Sequence, residues 1–94
     1  MKPTTLTIVT YDISDDKRRT KLHKLLKGFG QWTQYSVFEC FLTDKEWVRL
    51  RFELDQLCDE SQDSVRIYRM CGKCRETVET IGGSKPDEPE VYLI

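Results

Sequence analysis

The chain has 94 residues, enough for one small domain, and 33% of them are charged. Its 15 lysines and arginines nearly balance 16 aspartates and glutamates, which argues against a protein that simply coats nucleic acid but leaves room for a local basic face. The sequence shows no basic-then-apolar leader and no apolar run near the ~18 residues of a membrane span, so we expect a cytoplasmic protein with no membrane partner.

The first predicted element is a buried strand with an aspartate at its end. The segment LTIVTYDI, Leu6 to Ile13, is rich in β-branched residues, and Asp12 comes at its carboxyl end. Ligands and catalytic groups are often placed at such strand ends. Two interpretations stay open for Asp12: a functional carboxylate, or a turn residue that caps the following helix.

A basic helix follows this strand. Ser14 is the expected cap, and Asp15 and Asp16 suit the positive end of the helix dipole. A stripe of leucines at helical spacing continues to about Lys27, where glycines end the helix. The sequence therefore predicts a helix that packs one apolar face against the sheet.

Six of the eleven residues from 17 to 27 are cations, namely Lys17, Arg18, Arg19, Lys21, Lys24 and Lys27. Arg18 and Arg19 follow Asp12 closely in the chain, and a guanidinium fork suits bidentate phosphate binding. We expect Lys21, Lys24 and Lys27 to follow a nucleic-acid backbone. A solvated helix face is the alternative that such a charge run leaves open.

Two strands and a second helix occupy the middle of the chain. QYSVFECFL, Gln34 to Leu42, alternates as a strand, and TDKE, Thr43 to Glu46, is a capping box that starts the second helix. Val65 to Met70 alternates as a further strand. A four-stranded sheet needs one more strand, which we place around Arg69 to Cys71 or at Val91 to Ile94.

The order of the elements predicts an α+β, ferredoxin-like βαββαβ sandwich, with residues 1–94 as a single domain. Residues 73–81 are a short helical candidate, and residues 83–94 are expected to form a flexible connector and a C-terminal strand. Two helices cover only one face of the sheet. We therefore expect a homodimer that covers the other face, with each C-terminal strand added to the partner sheet.

Four cysteines and one histidine offer weaker candidate sites. Cys40 and Cys58 lie within apolar patterns and are expected to pack as small hydrophobic residues. Cys71 and Cys74 form a single CxxC, for which structural thiols, half a zinc site and a redox pair all stay open. His23 has no partner evident from spacing and is not expected to act as a general base.

One carboxylate per chain is too few for most metal-assisted phosphodiester chemistry, because Mg²⁺ typically takes one or two carboxylates along with waters and phosphate oxygens. A symmetric dimer that brings two copies of Asp12 together at its axis would hold one Mg²⁺ between the subunits. The aromatic residues Tyr11, Tyr35 and Phe38 are expected in the core or the interface, and a position facing the cleft stays open for Phe38.

Three segments together resemble the CRISPR-associated protein 2 family: YDISDDKRR (Tyr11 to Arg19), LLKGFG (Leu25 to Gly30) and QYSVFEC (Gln34 to Cys40). They occur in the family's order in a chain of the family's length. The resemblance implies a ferredoxin-like fold, a homodimer with an exchanged C-terminal strand, and a role in acquiring new CRISPR spacers. It also implies two partners, the CRISPR integrase subunit and duplex DNA.

The resemblance assigns roles to four positions. Asp12 matches the family's metal-binding and catalytic aspartate, and Tyr11 matches the tyrosine before it. Arg19 matches an arginine of the first helix, and Phe38 matches the aromatic residue of the SVF motif. These matches imply a Mg²⁺-dependent endonuclease that cleaves single-stranded RNA and also double-stranded DNA. Other members resemble non-catalytic DNA-binding adaptors. The same Asp12 and basic helix would suit either function.

Overall fold

The structure is a computed structural model that describes residues 3–88. In chain order its elements are β1 Thr5–Asp12, α1 Asp16–Lys27, β2 Gln31–Gln34, β3 Val37–Leu42, α2 Asp44–Leu57, β4 Ser64–Met70 and α3 Gly72–Glu76. The strands form one antiparallel sheet in the order β2-β3-β1-β4. This architecture confirms the α+β, ferredoxin-like fold, whereas the strand expected at Val91 to Ile94 lies outside the described residues. No helix between residues 3 and 88 has both the length and the apolar character to cross a membrane.

Among the described residues, the fourth strand of the sheet is β2 and not the segment predicted around Arg69 to Cys71. β2, with the sequence QWTQ, pairs with β3 at the sheet edge, and Arg69 to Cys71 adds no strand beyond β4. The long strand predicted from Gln34 to Leu42 is instead a hairpin that turns at Tyr35 and Ser36. All four β2 residues are exposed, so this edge strand lacks the alternating apolar signal by which a strand is predicted.

Two helix boundaries also differ from the predictions. The cap of α1 is Asp15 rather than Ser14, because the Asp15 carboxylate accepts the backbone N–H of Arg18 at 2.9 Å. The helix expected over residues 73–81 is the short element Gly72–Glu76. Three of the next four residues, Thr77, Val78 and Thr80, are β-branched; such residues lose side-chain freedom in a helix and do not extend it.

The core lies between the helices and one face of the sheet. Alternation along β1 directs Val9 and Tyr11 to this face, where they meet Phe38 of β3, Leu22 of α1 and Leu50 of α2. Tyr11 is 8% exposed, and the other four side chains are completely buried. Burial of a large apolar side chain contributes roughly 1.5–3 kcal/mol, so this single layer supplies most of the driving force for folding.

The other face of the sheet is covered by described residues only at one end. Arg75 of α3 lies 4.5 Å from the centre of the Phe41 ring, and Glu88 accepts hydrogen bonds from Arg75 and Thr4, each at 2.9 Å. Leu6, which pairs with Phe41 across the sheet, is completely buried. The carboxyl end of β1 stays open on this face, and the predicted homodimer that would cover it stays a prediction.

Gly30, between α1 and β2, is expected to tolerate no side chain. A β-carbon there would lie 2.5 Å from the carbonyl oxygen of Glu39 and 2.8 Å from the Cα of Cys40, backbone atoms that cannot rotate away. We expect Gly30→Ala to lower the free energy of unfolding by roughly 2–3 kcal/mol, measured by urea denaturation. Gly28→Ala is the control because its β-carbon would meet only the Leu25 carbonyl, at 3.3 Å. Equal losses in both variants would contradict the steric explanation.

Candidate functional site

Asp12 provides an exposed carboxylate at the end of β1. Alternation along the strand places its side chain on the face opposite Tyr11, away from the core. Between residues 3 and 88 this carboxylate makes no hydrogen bond and no ion pair. The interpretation of Asp12 as a helix cap is wrong, because Asp15 occupies that position. The carboxylate is therefore free of competing partners in the described part of the chain.

Three polar residues lie near Asp12 on this sheet face. In the register of β1 with β4, Asp12 is opposite Ser64 and Thr10 is opposite Arg66, and residues two apart on a strand share a face. Diagonal neighbours lie ~7–8 Å apart, within reach of an arginine side chain. Arg66 is exposed and was not identified from the sequence. The alternation of β4 indicated an outward position, but only its pairing with β1 brings Arg66 beside Asp12.

Arg19 fixes the loop that follows Asp12. Its guanidinium donates to the carbonyl oxygens of Ile13 at 2.9 Å and Ser14 at 3.4 Å, and it also pairs with the carboxylate of Asp16. The side chain remains 44% exposed, so part of the guanidinium still faces solvent. The structure thus gives Arg19 a role in holding the loop between β1 and α1, and its predicted catalytic contact stays a prediction.

Arg18 is used inside the protein rather than offered to a phosphate. Its Nε and Nη2 donate to the two carboxylate oxygens of Asp63 at 2.9 and 3.1 Å, and the Asp63 side chain is only 1% exposed. Asp63 also accepts the backbone N–H of Asp59 at 2.8 Å. The hydrogen bonds from Arg18 hold the pKa of Asp63 below its usual range. The phosphate contact predicted for Arg18 therefore needs correction, because the same fork ties α1 to the loop before β4.

The Arg18–Asp63 pair is expected to make stability depend on pH in the acid range. A carboxyl group whose pKa is lowered by folding stabilises the protein above the unfolded value, ~3.9 for aspartate, and this contribution is lost as pH falls through the folded value. We expect Arg18→Met to lower the urea midpoint at neutral pH, with a difference from wild type that shrinks below about pH 4. Arg51→Met, which removes an exposed pair with Asp55, is the control and should change little. A difference independent of pH would contradict this account.

Tyr11, His23 and Phe38 form an aromatic cluster on the core side of the sheet. A hydrogen bond of 3.1 Å joins the Tyr11 hydroxyl and His23 Nδ1. The rings of Tyr11 and Phe38 stack with centroids 6.5 Å apart, and His23 meets Phe38 edge-on at 5.1 Å. Burial raises the pKa of Tyr11, so its phenol stays protonated at neutral pH. His23 thus has a partner that its spacing in the sequence did not reveal.

The cluster lies on the opposite side of the sheet from Asp12. Phe38 is completely buried, so it does not face a cleft. Tyr11 precedes Asp12 directly, yet alternation along β1 sends the two side chains to different faces. Any influence of Tyr11 or Phe38 on chemistry at Asp12 therefore acts through the position of β1. The catalytic roles predicted for Tyr11 and Phe38 stay predictions, and in this structure neither side chain shares a sheet face with Asp12.

The exposed lysines of α1 form a separate basic surface, the lysine face, which consists of Lys17, Lys21, Lys24 and Lys27. Their spacing places them on one side of a helix with 3.6 residues per turn. The buried residues Leu22 and Leu26 lie on the opposite side and pack toward the sheet. The lysine face therefore points away from the sheet, whereas Asp12 lies on the far side of it. Closeness in sequence does not bring these lysines to the surface of Asp12.

The described residues contain no complete metal site. Between residues 3 and 88, no three His, Cys, Asp or Glu side chains come together. Asp12 is a single carboxylate, and Mg²⁺ commonly takes one or two carboxylates from a protein, so a second copy of Asp12 would fit the larger of these donor sets. Cys71 and Cys74 are exposed and free, and this part of the chain brings them no further ligand, so a zinc site within one subunit is unsupported. Burial raises the pKa of Cys40 to about 12, as expected for a thiol packed as a hydrophobic residue.

The chain is similar in sequence and structure to several known proteins. The family model described as CRISPR associated protein Cas2 matches residues 5–78. The "CRISPR-associated endoribonuclease Cas2 1" of Chloroflexus aurantiacus is 47% identical over 90 residues, which are 93% of this chain and 97% of that protein. The crystal structure of Streptococcus pyogenes Cas2 at pH 6.5 has a TM-score of 0.69 and 38% identity, covering 82% of this chain and 99% of that one. A chain of the partial Cas6-RT-Cas1--Cas2 complex has a TM-score of 0.71 and 26% identity, covering 90% of this chain and 99% of that one.

Proposed function

The chain belongs to the CRISPR associated protein Cas2 family, and we propose that it is a Mg²⁺-dependent endonuclease of CRISPR adaptation that works as a homodimer. Its proposed substrate is single-stranded RNA, with double-stranded DNA as a second. The observation that carries the proposal is the exposed Asp12 carboxylate, which has no partner between residues 3 and 88. The chain matches nearly the whole length of a relative that is named an endoribonuclease, and this similarity supports the nuclease activity.

The donor set suits Mg²⁺ when two subunits contribute to it. Asp12 of each subunit would hold one ion at the two-fold axis, with waters and phosphate oxygens as the remaining ligands. When bound, Mg²⁺ neutralises charge on the phosphate and makes a coordinated water more acidic. Without the ion, two carboxylates close enough to share it would repel each other, so cleavage is expected to depend on the metal.

Two arginines suit the binding of a phosphate next to Asp12. Arg66 lies on the same sheet face, and Arg19 of α1 holds the loop after β1 while part of its guanidinium stays exposed. The hydroxyls of Thr10 and Ser64, on the same face as Asp12, add donors for phosphate oxygens. Together these four residues would hold the scissile phosphodiester next to Asp12.

A non-catalytic DNA-binding adaptor of the CRISPR integrase complex is the second candidate, and one observation favours it. The lysine face lies across the sandwich from Asp12, so duplex DNA bound there needs no chemistry at the carboxylate. The similarity to a chain of a complex whose name includes Cas1 supports the CRISPR integrase subunit as a partner. Both candidates share the homodimer and differ only in whether Asp12 promotes turnover.

Parallel cleavage and binding assays separate the two candidates. The purified protein is incubated with single-stranded RNA and with duplex DNA, each in Mg²⁺ and in EDTA, while duplex binding is followed as a function of salt. The nuclease is expected to release products only in Mg²⁺. A Lys21→Gln/Lys24→Gln variant is expected to bind the duplex more weakly and with a shallower salt dependence, but to keep RNA cleavage. Duplex binding without products from either substrate would reject the nuclease and retain the adaptor.

A further inference from the structure

Tyr35, at the tip of the β2–β3 hairpin, is the most exposed aromatic residue between residues 3 and 88. It is 86% exposed, whereas Trp32 in the same hairpin is 50% exposed. The residues before it, Thr33 and Gln34, are exposed and polar, and the half-exposed Trp32 is a second aromatic residue of the same hairpin. No packing role in the described chain accounts for a large aromatic side chain at this position.

The hairpin holds Tyr35 in an uncommon backbone conformation. Its φ of 46° lies in the left-handed region, which glycine or asparagine adopts at lower cost than a bulky residue. The indole N–H of Trp32 donates to the Tyr35 carbonyl at 2.7 Å, and the Thr33 hydroxyl donates to the Val37 carbonyl at 3.2 Å. The turn therefore does not require a tyrosine, and its hydrogen bonds fix the place from which the ring extends into solvent.

The hairpin tip lies at the same end of the sheet as Asp12. The backbone N–H of Tyr11 donates to the carbonyl of Ser36 at 3.1 Å, which continues the pairing of β1 with β3 past its last ladder residues. Extended by one further residue, this register would bring Tyr35, the first residue of the turn, level with Asp12. A nucleic-acid strand with a phosphate near Asp12 would thus pass the tyrosine ring within about one nucleotide.

We propose that Tyr35, supported by Trp32, is a stacking site for an unpaired nucleobase of the strand that reaches Asp12. An aromatic ring stacks on the face of any base, and a base inside a duplex has no free face to offer. The proposal rests on the proposed function for the path of the strand past Asp12, and it makes single-stranded nucleic acid the preferred substrate. The polar surroundings favour a base over a protein side chain, because anchor residues of protein interfaces lie in desolvated apolar surroundings.

Binding measured without cleavage tests the stacking site. In an Asp12→Asn background, fluorescence anisotropy gives the Kd of a labelled single-stranded RNA and of the same strand with abasic nucleotides. Tyr35→Ala is expected to weaken binding of the base-containing strand by about 5- to 100-fold and to leave the abasic strand unchanged. Tyr35→Phe is expected to keep the affinity. Phe52→Ala, which removes an aromatic residue 63% exposed on α2, is the matched control and should change neither Kd.

A second substitution separates the ring from the turn. Tyr35→Asn suits the left-handed backbone, so it is expected to preserve the hairpin and still lose the base-dependent affinity. The proposal is overturned if Tyr35→Ala and Tyr35→Asn bind the RNA as the parent does, if they weaken the abasic strand equally, or if they weaken only binding to a protein partner. Base-dependent binding in the Asp12→Asn background, together with no cleavage by the protein that carries Asp12, would retain the stacking site and reject the nuclease. Cleavage without base-dependent binding would retain the nuclease and reject the stacking site.

Discussion

Asp12→Asn is expected to reduce Mg²⁺-dependent cleavage by more than about 100-fold. Loss of a group that merely orients a metal ligand already costs about 10- to 100-fold, and this substitution removes the only carboxylate that each subunit is proposed to give the ion. The side chain is exposed and makes no hydrogen bond or ion pair with residues 3–88, so the urea midpoint should not change. Asp44→Asn is the matched control, because this carboxylate is exposed at the start of α2. The initial cleavage rate at saturating Mg²⁺ is the measurement.

Mixed dimers test whether two copies of Asp12 share one ion. If both carboxylates are required, an equal mixture of wild-type and Asp12→Asn subunits retains roughly one quarter of the wild-type rate, because only that share of dimers has two wild-type subunits. Subunits that act independently would retain about one half. A protein that stays monomeric at every assay concentration, or an Asp12→Asn variant that cleaves at the wild-type rate, contradicts the shared site.

Features encoded within a few neighbouring residues were predictable from the sequence. The reciprocal hydrogen bonds of the capping box between Thr43 and Glu46 start α2 as the TDKE pattern indicates. The alternation of β3 places Phe38, Cys40 and Leu42 on the buried face. Because periodicity and capping act over a single turn or strand, they define the elements, and the order of the elements leads to the ferredoxin-like sandwich.

Partners distant in the chain were not predictable. Arg18 and Asp63 are 45 residues apart, and their bidentate pair arises only when α1 packs against the loop before β4. From the sequence alone, Arg18 was grouped with Arg19 as an arginine able to bind a phosphate near Asp12. The same reason hid Arg66, whose place beside Asp12 depends on the pairing of β1 with β4. Long-range pairing thus decides which cations are free for a ligand.

The resemblance to the family treated Tyr11, Asp12, Arg19 and Phe38 as one set, and the geometry of a strand divides it. Adjacent residues of a strand point to opposite faces, so Tyr11 joins Phe38 in the core while Asp12 stays at the open face. A sequence motif preserves the order of its residues but not the side of the sheet on which each one acts. Residues of one motif can therefore serve the same site from the ligand side and from the core side.

Phe38→Ala is expected to lower the free energy of unfolding by about 3–5 kcal/mol. Phe38 is completely buried and packs against Tyr11 and His23, so the truncation leaves a cavity in the single core layer. Small domains have only about 5–15 kcal/mol of stability, so a large share of it would be lost. Urea denaturation measures the change, and Phe52→Ala on the exposed side of α2 is the control, with an expected effect within about 0.5 kcal/mol.

Phe38→Leu separates packing from direct catalysis. Leucine retains most of the buried apolar volume, so this variant should fold with a loss of about 1–2 kcal/mol. If Phe38 acts by holding β1 in place, the rate of cleavage per folded molecule stays near that of wild type. If the ring touches the substrate, the variant folds but loses Mg²⁺-dependent cleavage, and its side chain must then leave the core during the reaction. The folded fraction from circular dichroism and the cleavage rate, measured on the same sample, distinguish these two cases. A residue with no exposed surface can contact a phosphodiester only after the sheet has opened, so the structure favours the first case.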